Sequence, residues 1–278
     1  MPLHLAVSQA AQPGTHTAPD NHHHSMHHHR KTIGALAAAS ALVAGNASAG
    51  TPTPTTTAPV SQPAAAVQYT LHAGYSSEYL WRGLDLGDDL VEAGIDVAAE
   101  WNGLGLSAGA WYASFAAPAG HTSINTDELD LYGEVSKDFG FIKPSIGYIA
   151  YLYPNSSSDT YQEVCFGLAH DFGFVDVSFK YYWDVDGDND GYSELALSHS
   201  FELSPCWSLN LGTNVGYLFE QGVVTAWTTK VSVDWGFAEH AKLSPFVAAS
   251  IALTDDADTA YYNSGNELVG GCMLSVTF

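Results

Sequence analysis

The sequence has 278 residues, of which 46% are hydrophobic and only 14% charged, with a mean hydropathy of −0.02. No stretch reaches the ~18 continuous apolar residues of a membrane-spanning helix, so any bilayer crossing has to be made with strands. Its 30 acids against 8 bases give a net charge of −22, which argues against nucleic acid as a partner, because a phosphate backbone needs Lys and Arg.

The first segment reads as targeting material. Arg30 and Lys31 precede an apolar stretch from Ile33 to Gly45, and Ala47-Ser48-Ala49 is a small-residue cleavage site. Residues 1–49 are therefore expected to be an N-terminal extension plus signal peptide, cleaved after Ala49, with Met26 as the natural start. The histidines at 22–24 and 27–29 belong to that removed segment. Processing takes Asp20 from the 30 acids and Arg30 and Lys31 from the 8 bases, leaving 29 against 6. Residues 50–66, rich in Thr, Pro and Ala and without periodicity, read as a flexible leader.

Residues 67–278 read as strands throughout. Tyr69, Leu71, Ala73, Tyr75, Tyr79 and Trp81 alternate with Thr70, His72, Ser76, Glu78 and Arg82; Val91, Ala93, Ile95, Val97 and Trp101 alternate with Glu92, Asp96 and Glu100. Period two is the signature of a sheet with two unlike faces. Twelve segments are predicted, near 68–83, 90–101, 104–114, 127–137, 141–153, 161–171, 174–183, 192–202, 206–217, 225–235, 241–253 and 266–278. The fifth is the weakest, because Ile142 to Tyr153 alternates poorly. Most are as long as the ~9–11 residues a tilted strand needs to cross a bilayer, whereas soluble strands average about five or six.

The links alternate in length. Asn102-Gly103, Asp138-Phe139-Gly140, Asp171-Phe172-Gly173 and Leu203-Ser204-Pro205 are brief, and Asn-Gly is a hairpin signal. Between them lie longer polar links at 115–126, 154–160, 184–191 and 254–265. Short turns on one rim and long loops on the other, with both ends on the short-turn side, predict an all-β, closed antiparallel up-and-down transmembrane barrel of about twelve strands. Closure follows from the solvent: an open sheet edge cannot satisfy its amides in hydrocarbon. Trp81, Trp101, Trp183, Trp207 and Trp235, near strand ends, are expected to form aromatic girdles. The last segment places Leu268, Gly270, Cys272, Leu274, Val276 and Phe278 on one face, and Phe278 is expected to act as the insertion signal. A soluble β-sandwich has similar composition and stays open as an alternative.

At Ser77-Glu78-Tyr79-Leu80-Trp81-Arg82-Gly83 the chain resembles the opening pattern of the TorF-like porins of bacterial outer membranes. The resemblance continues through Gly109-Ala110-Trp111-Tyr112-Ala113-Ser114, Glu128-Leu129-Asp130-Leu131-Tyr132-Gly133, Tyr151-Leu152-Tyr153-Pro154 and Tyr161-Gln162-Glu163-Val164. It covers the first half of the barrel in order; beyond Phe174 only general barrel character supports it. It implies an outer-membrane pore in a diderm bacterium, with membrane lipid and the barrel-insertion machinery as partners, and names no solute.

The face opposite the apolar row carries Glu78, Glu92, Asp96, Glu100, Glu128, Asp130, Glu134, Glu163, Asp176, Glu194, Asp234 and Glu267 against the bases Arg82, Lys180 and Lys230. A dry interior does not hold that imbalance, because unpaired buried charge costs several kcal/mol. The lumen is therefore expected to be wet or occupied by cations, and acidic rings admit cations over anions. A porin passing small solutes with cation preference is the leading expectation. A non-conducting barrel, plugged where Arg82 organises nearby acids or serving as a cation-binding surface protein, is the alternative. Asp184, Asp186, Asp188 and Asp190 fall two apart, as oxygen ligands for Ca²⁺ do. Leu197 stands where an EF-hand needs its last carboxylate, so a weak Ca²⁺ site and a solvated acidic loop are both open. No other cofactor is indicated. Cys165, Cys206 and Cys272 lack metal spacing and read as small core or wall residues. His199 and Ser200, neighbours in a strand, face opposite ways and cannot pair, so no enzyme is expected.

Overall fold

The structure, a computed structural model, describes residues 67–117, 126–154, 160–187, 190–254 and 265–278. The expected extension, signal peptide and leader lie outside these residues. Among the described residues there are twelve strands: β1 (Gln68–Trp81), β2 (Leu84–Trp101), β3 (Leu104–Ala116), β4 (Thr126–Ser136), β5 (Lys143–Leu152), β6 (Tyr161–Asp171), β7 (Asp176–Asp184), β8 (Tyr192–Ser204), β9 (Trp207–Leu218), β10 (Val223–Ala238), β11 (Ala241–Ala252) and β12 (Glu267–Thr277). Each pairs antiparallel with its chain neighbours, and β1 pairs with β12 to close a single ring. The ring replaces the two stacked sheets of a sandwich. At the seam Thr70 lies opposite Thr277 and Ser76 opposite Gly271. Tyr69 and Phe278 exchange backbone hydrogen bonds of 3.1 and 2.8 Å, which satisfy both strand ends.

The apolar row faces outward. Leu71, Tyr75, Val91, Ile95, Leu131, Ile146, Phe166, Leu195, Val231, Val247 and Leu274 are exposed side chains on the outer surface. In a soluble protein such a band would be buried; around a closed ring it is the surface that meets lipid. Trp101, Trp183, Trp207 and Trp235 lie at the rims as expected, and Trp207 stacks on Trp235 with ring centroids 5.7 Å apart. Trp81 departs from this expectation: it is 2% exposed and lies inside the barrel.

Both described strand ends lie on the rim of short connections, here the terminal rim. Asn102 and Gly103 both have positive φ, 52° and 69°, as a type I′ hairpin turn requires. Asp138-Phe139-Gly140-Phe141 and Asp171-Phe172-Gly173-Phe174 form twin turns. In each the aspartate accepts a hydrogen bond from the glycine N–H, the glycine sits at φ 82°, and the first phenylalanine N–H closes on a carbonyl at 3.0 Å. On the opposite, loop rim one connection differs from the expected arrangement. Residues 84–89, which fall between the first two expected segments, are strand, and β1 passes into β2 through Arg82-Gly83 alone, with φ of 49° and 84°. Arginine is not a turn residue by type, so the signal was hidden.

Candidate functional site

The inner face carries the acids. Rows of β-register join Glu92 to Ala113 and Ala113 to Glu128, Trp111 to Asp130 and Asp130 to Tyr151, Glu163 to Asp184, and Lys180 to Glu194. Asp96, Glu100, Glu134, Asp176, Lys230 and Asp234 fall on the same parity of their strands, Glu100 and Asp176 being exposed near the terminal rim. Lys242 joins them; it was absent from the expected set and forms a 2.8 Å ion pair with Asp234. Lys180 pairs with Glu134 at 3.2 Å, and the Lys230 ammonium lies 4.0 Å from the Phe246 ring centre.

The two halves of the lumen differ in side-chain size. Strand segments nearest the terminal rim turn Gly105, Ser107, Ser145, Ser178, Ser200, Asn210 and Ser232 inward, and most are partly accessible. A cavity of about 290 Å³ opens there among Ser200, Asn210, Asp234 and Lys242. The loop-rim half is filled instead. Trp111, Phe115, Tyr151, Tyr182 and Tyr192 pack with Glu92, Glu128, Asp130, Glu163 and Glu194, all buried.

What fills it is the β1–β2 hairpin. The pairing of β1 with β2 shifts between Glu78 and Leu80, and that of β2 with β3 between Asp88 and Val91; bulges of this kind bend a strand and re-aim its side chains. Beyond the bend Tyr79 and Trp81, expected on the lipid face, point into the barrel. Tyr79 donates to Glu128 Oε2 at 3.1 Å and packs on Phe115 edge-to-face at 4.9 Å between centroids. The tip reaches the wall formed by β6, β7 and β8. Arg82 Nη1 and Nη2 donate to Glu163 Oε1 and Oε2 at 3.0 and 2.8 Å, and its guanidinium carbon lies 4.2 to 4.7 Å from the ring centres of Trp81, Tyr182 and Tyr192. Gly83 abuts β10 so closely that an added Cβ would come within 2.2 Å of Ala226 Cβ.

Several acids of this half have protein donors. Neutral aromatic donors supplement Arg82: Tyr151 donates to Glu163 at 2.7 Å, Trp111 to Glu92 at 2.5 Å and Tyr192 to Glu194 at 3.3 Å, and nearer the terminal rim Tyr132 donates to Asp96 at 2.5 Å. His72 lies 3.4 Å from Asp96. One oxygen each of Glu78, Glu128 and Asp130, and the Trp81 indole nitrogen, are buried without a hydrogen-bond partner. Sequence reasoning found the acids by their period and missed their partners, because a period says nothing of which side chains meet across the lumen.

Asp184 is buried at the end of β7, and its Oδ1 accepts from the backbone N–H of Asp186 and Gly187 at 2.9 and 2.8 Å, which closes the turn. Asp186 and Asp190 are exposed, and Asp188 lies outside the described residues. Among the described residues no group of three or more His, Cys, Asp or Glu is placed to hold a metal ion. Cys165, Cys206 and Cys272 are free thiols. Ser200 Oγ donates to Asn210 inside the barrel, while His199 packs on Phe201 on the other face.

Residues 60–275 match a family described as a bacterial protein of unknown function (Gcw_chp). The chain belongs to that family. No curated relative matches it. Among solved structures it is similar to the COG4313 outer membrane channel from Pseudomonas putida F1, at 10% identity and a TM-score of 0.50 over 78% of this chain and 97% of that one. It also resembles the KdgM porin, at 11% identity and TM-score 0.47 over 75% and 99% of the two chains. The NanC porin aligns at 11% identity and TM-score 0.46 over 76% and 98%. At these identities the likeness is one of fold.

Proposed function

We propose that this Gcw_chp protein is an outer-membrane channel of the TorF-like kind, which passes small solutes and prefers cations. The observation that carries the reading is the inversion of the ring: an apolar exterior around an acidic interior whose terminal-rim half is lined by small polar residues. A permeant cation entering that half meets Glu134 and Asp234, each paired with a lysine, and Asp96, which accepts from Tyr132. The shared fold with a solved outer-membrane channel supports the reading without fixing the solute. Phe278, 65% exposed at the seam, is the residue we assign to recognition by the insertion machinery.

The filled loop-rim half favours a second reading, a barrel that does not conduct while its hairpin is folded in. Recordings across a planar bilayer in a KCl gradient separate the two. The channel reading requires discrete conductance with a cation-selective reversal potential. Conductance selective for chloride overturns the cation preference, and silence from wild type supports the closed barrel.

A further inference from the structure

Arg82 occupies a backbone position that favours another residue. At φ 49°, followed by Gly83 at 84°, it holds the first place of a type I′ turn, where Asn or Gly is most at ease. What accounts for arginine here is the reach of its side chain. The guanidinium crosses to the far wall, makes both hydrogen bonds to one carboxylate, and lies within 4.7 Å of the centres of two tyrosine rings of that wall. Tyr151 also donates to Glu163 Oε2, at 2.7 Å, so the carboxylate is oriented by the barrel and not by Arg82 alone.

Taken without Arg82, the wall offers an oriented, buried carboxylate beside the faces of Tyr182 and Tyr192. Two parallel acceptors match a planar fork of N–H donors, and the ring faces attract a weakly hydrated cation; together these select guanidinium over ammonium. We propose that this pocket is a binding site for small guanidinium-bearing solutes, which Arg82 fills as a tethered ligand. Solute and hairpin then exclude one another, and a bound solute holds the hairpin out of the lumen. The binding claim stands on the pocket alone; only its consequence for conductance rests on the channel reading above.

The test uses the full chain, purified in detergent, with folding checked by heat-modifiable gel mobility. Arg82→Asn removes the guanidinium and leaves Asn-Gly, the preferred turn pair, so the hairpin keeps its local geometry. Methylguanidinium chloride titrated into this variant by calorimetry is expected to bind saturably, one per chain. Binding is expected to be at least about tenfold weaker to wild type, whose own arginine competes, and to the Arg82→Asn, Glu163→Gln double variant. Equal binding by all three, or none by Arg82→Asn, overturns the proposal. Arg82→Gly suits the same turn and substitutes if the first variant does not fold. If neither folds while Arg82→Lys does, the arginine is purely structural and the proposal falls. In bilayers, methylguanidinium is expected to raise wild-type conductance where equal NaCl does not. If no variant conducts but Arg82→Asn still binds, the pocket stands and the channel reading fails.

Discussion

Glu92, Asp96, Glu163 and Glu194 show how the inner wall tolerates its charge: each accepts from a tyrosine or tryptophan, on its own strand for Glu194 and on another strand for the other three. A neutral donor shields a carboxylate less than a base does, but it costs no second desolvated charge. Trp111→Phe keeps the aromatic bulk and strands the Glu92 oxygen, so it is expected to cost about 1–3 kcal/mol in urea unfolding. Glu163→Ala leaves the Arg82 guanidinium buried without its carboxylate, and the expected loss is about 3–5 kcal/mol. Equal, small losses for both would mean that water reaches the cluster. At this scale the sequence identified which side chains face inward, because parity alone decides that. It did not identify Tyr79 and Trp81, because period two carries no information about a bulge that turns the strand over.

Among the elements, the twelve strands and three of the four expected brief turns were legible, since hairpins announce themselves through Asn-Gly and Asp-Phe-Gly; the fourth falls at Pro205-Cys206, Leu203 and Ser204 being the end of β8. β5 alternated poorly for a physical reason that only the structure supplies. Its outward residues Ile146 and Tyr148 are apolar as lipid requires, while its inward Ile149 and Tyr151 are large and buried within the packed loop-rim half. Both faces are therefore apolar and the period is lost. The twin turns give a clean test of backbone cost. Gly140 and Gly173 have φ of 82° with nothing within 4 Å of an added Cβ, so Ala there meets strain without a clash. Each substitution is expected to destabilise by about 1–2 kcal/mol, and the two together additively, as read from unfolding midpoints. Phe278→Ser is expected to leave the folded barrel intact and to lower the fraction that reaches the heat-modifiable form in cells.

For the whole molecule, the governing fact is that lipid and lumen have exchanged the places of core and solvent. The apolar row outside and the acids inside both follow from one alternation, which is why fold class could be read from sequence with little else. The division of the lumen into a small-residue half and a filled half could not, because it depends on a hairpin folding across the ring to contact residues about eighty and more positions away, such as Glu163. Function turns on that division. Single-channel recording in a KCl gradient, made on wild type and on Arg82→Asn, tests the account most directly. A reversal potential on the potassium side, with larger conductance in the variant, is the predicted result. A chloride-side potential, or silence from both proteins once folded, would contradict it.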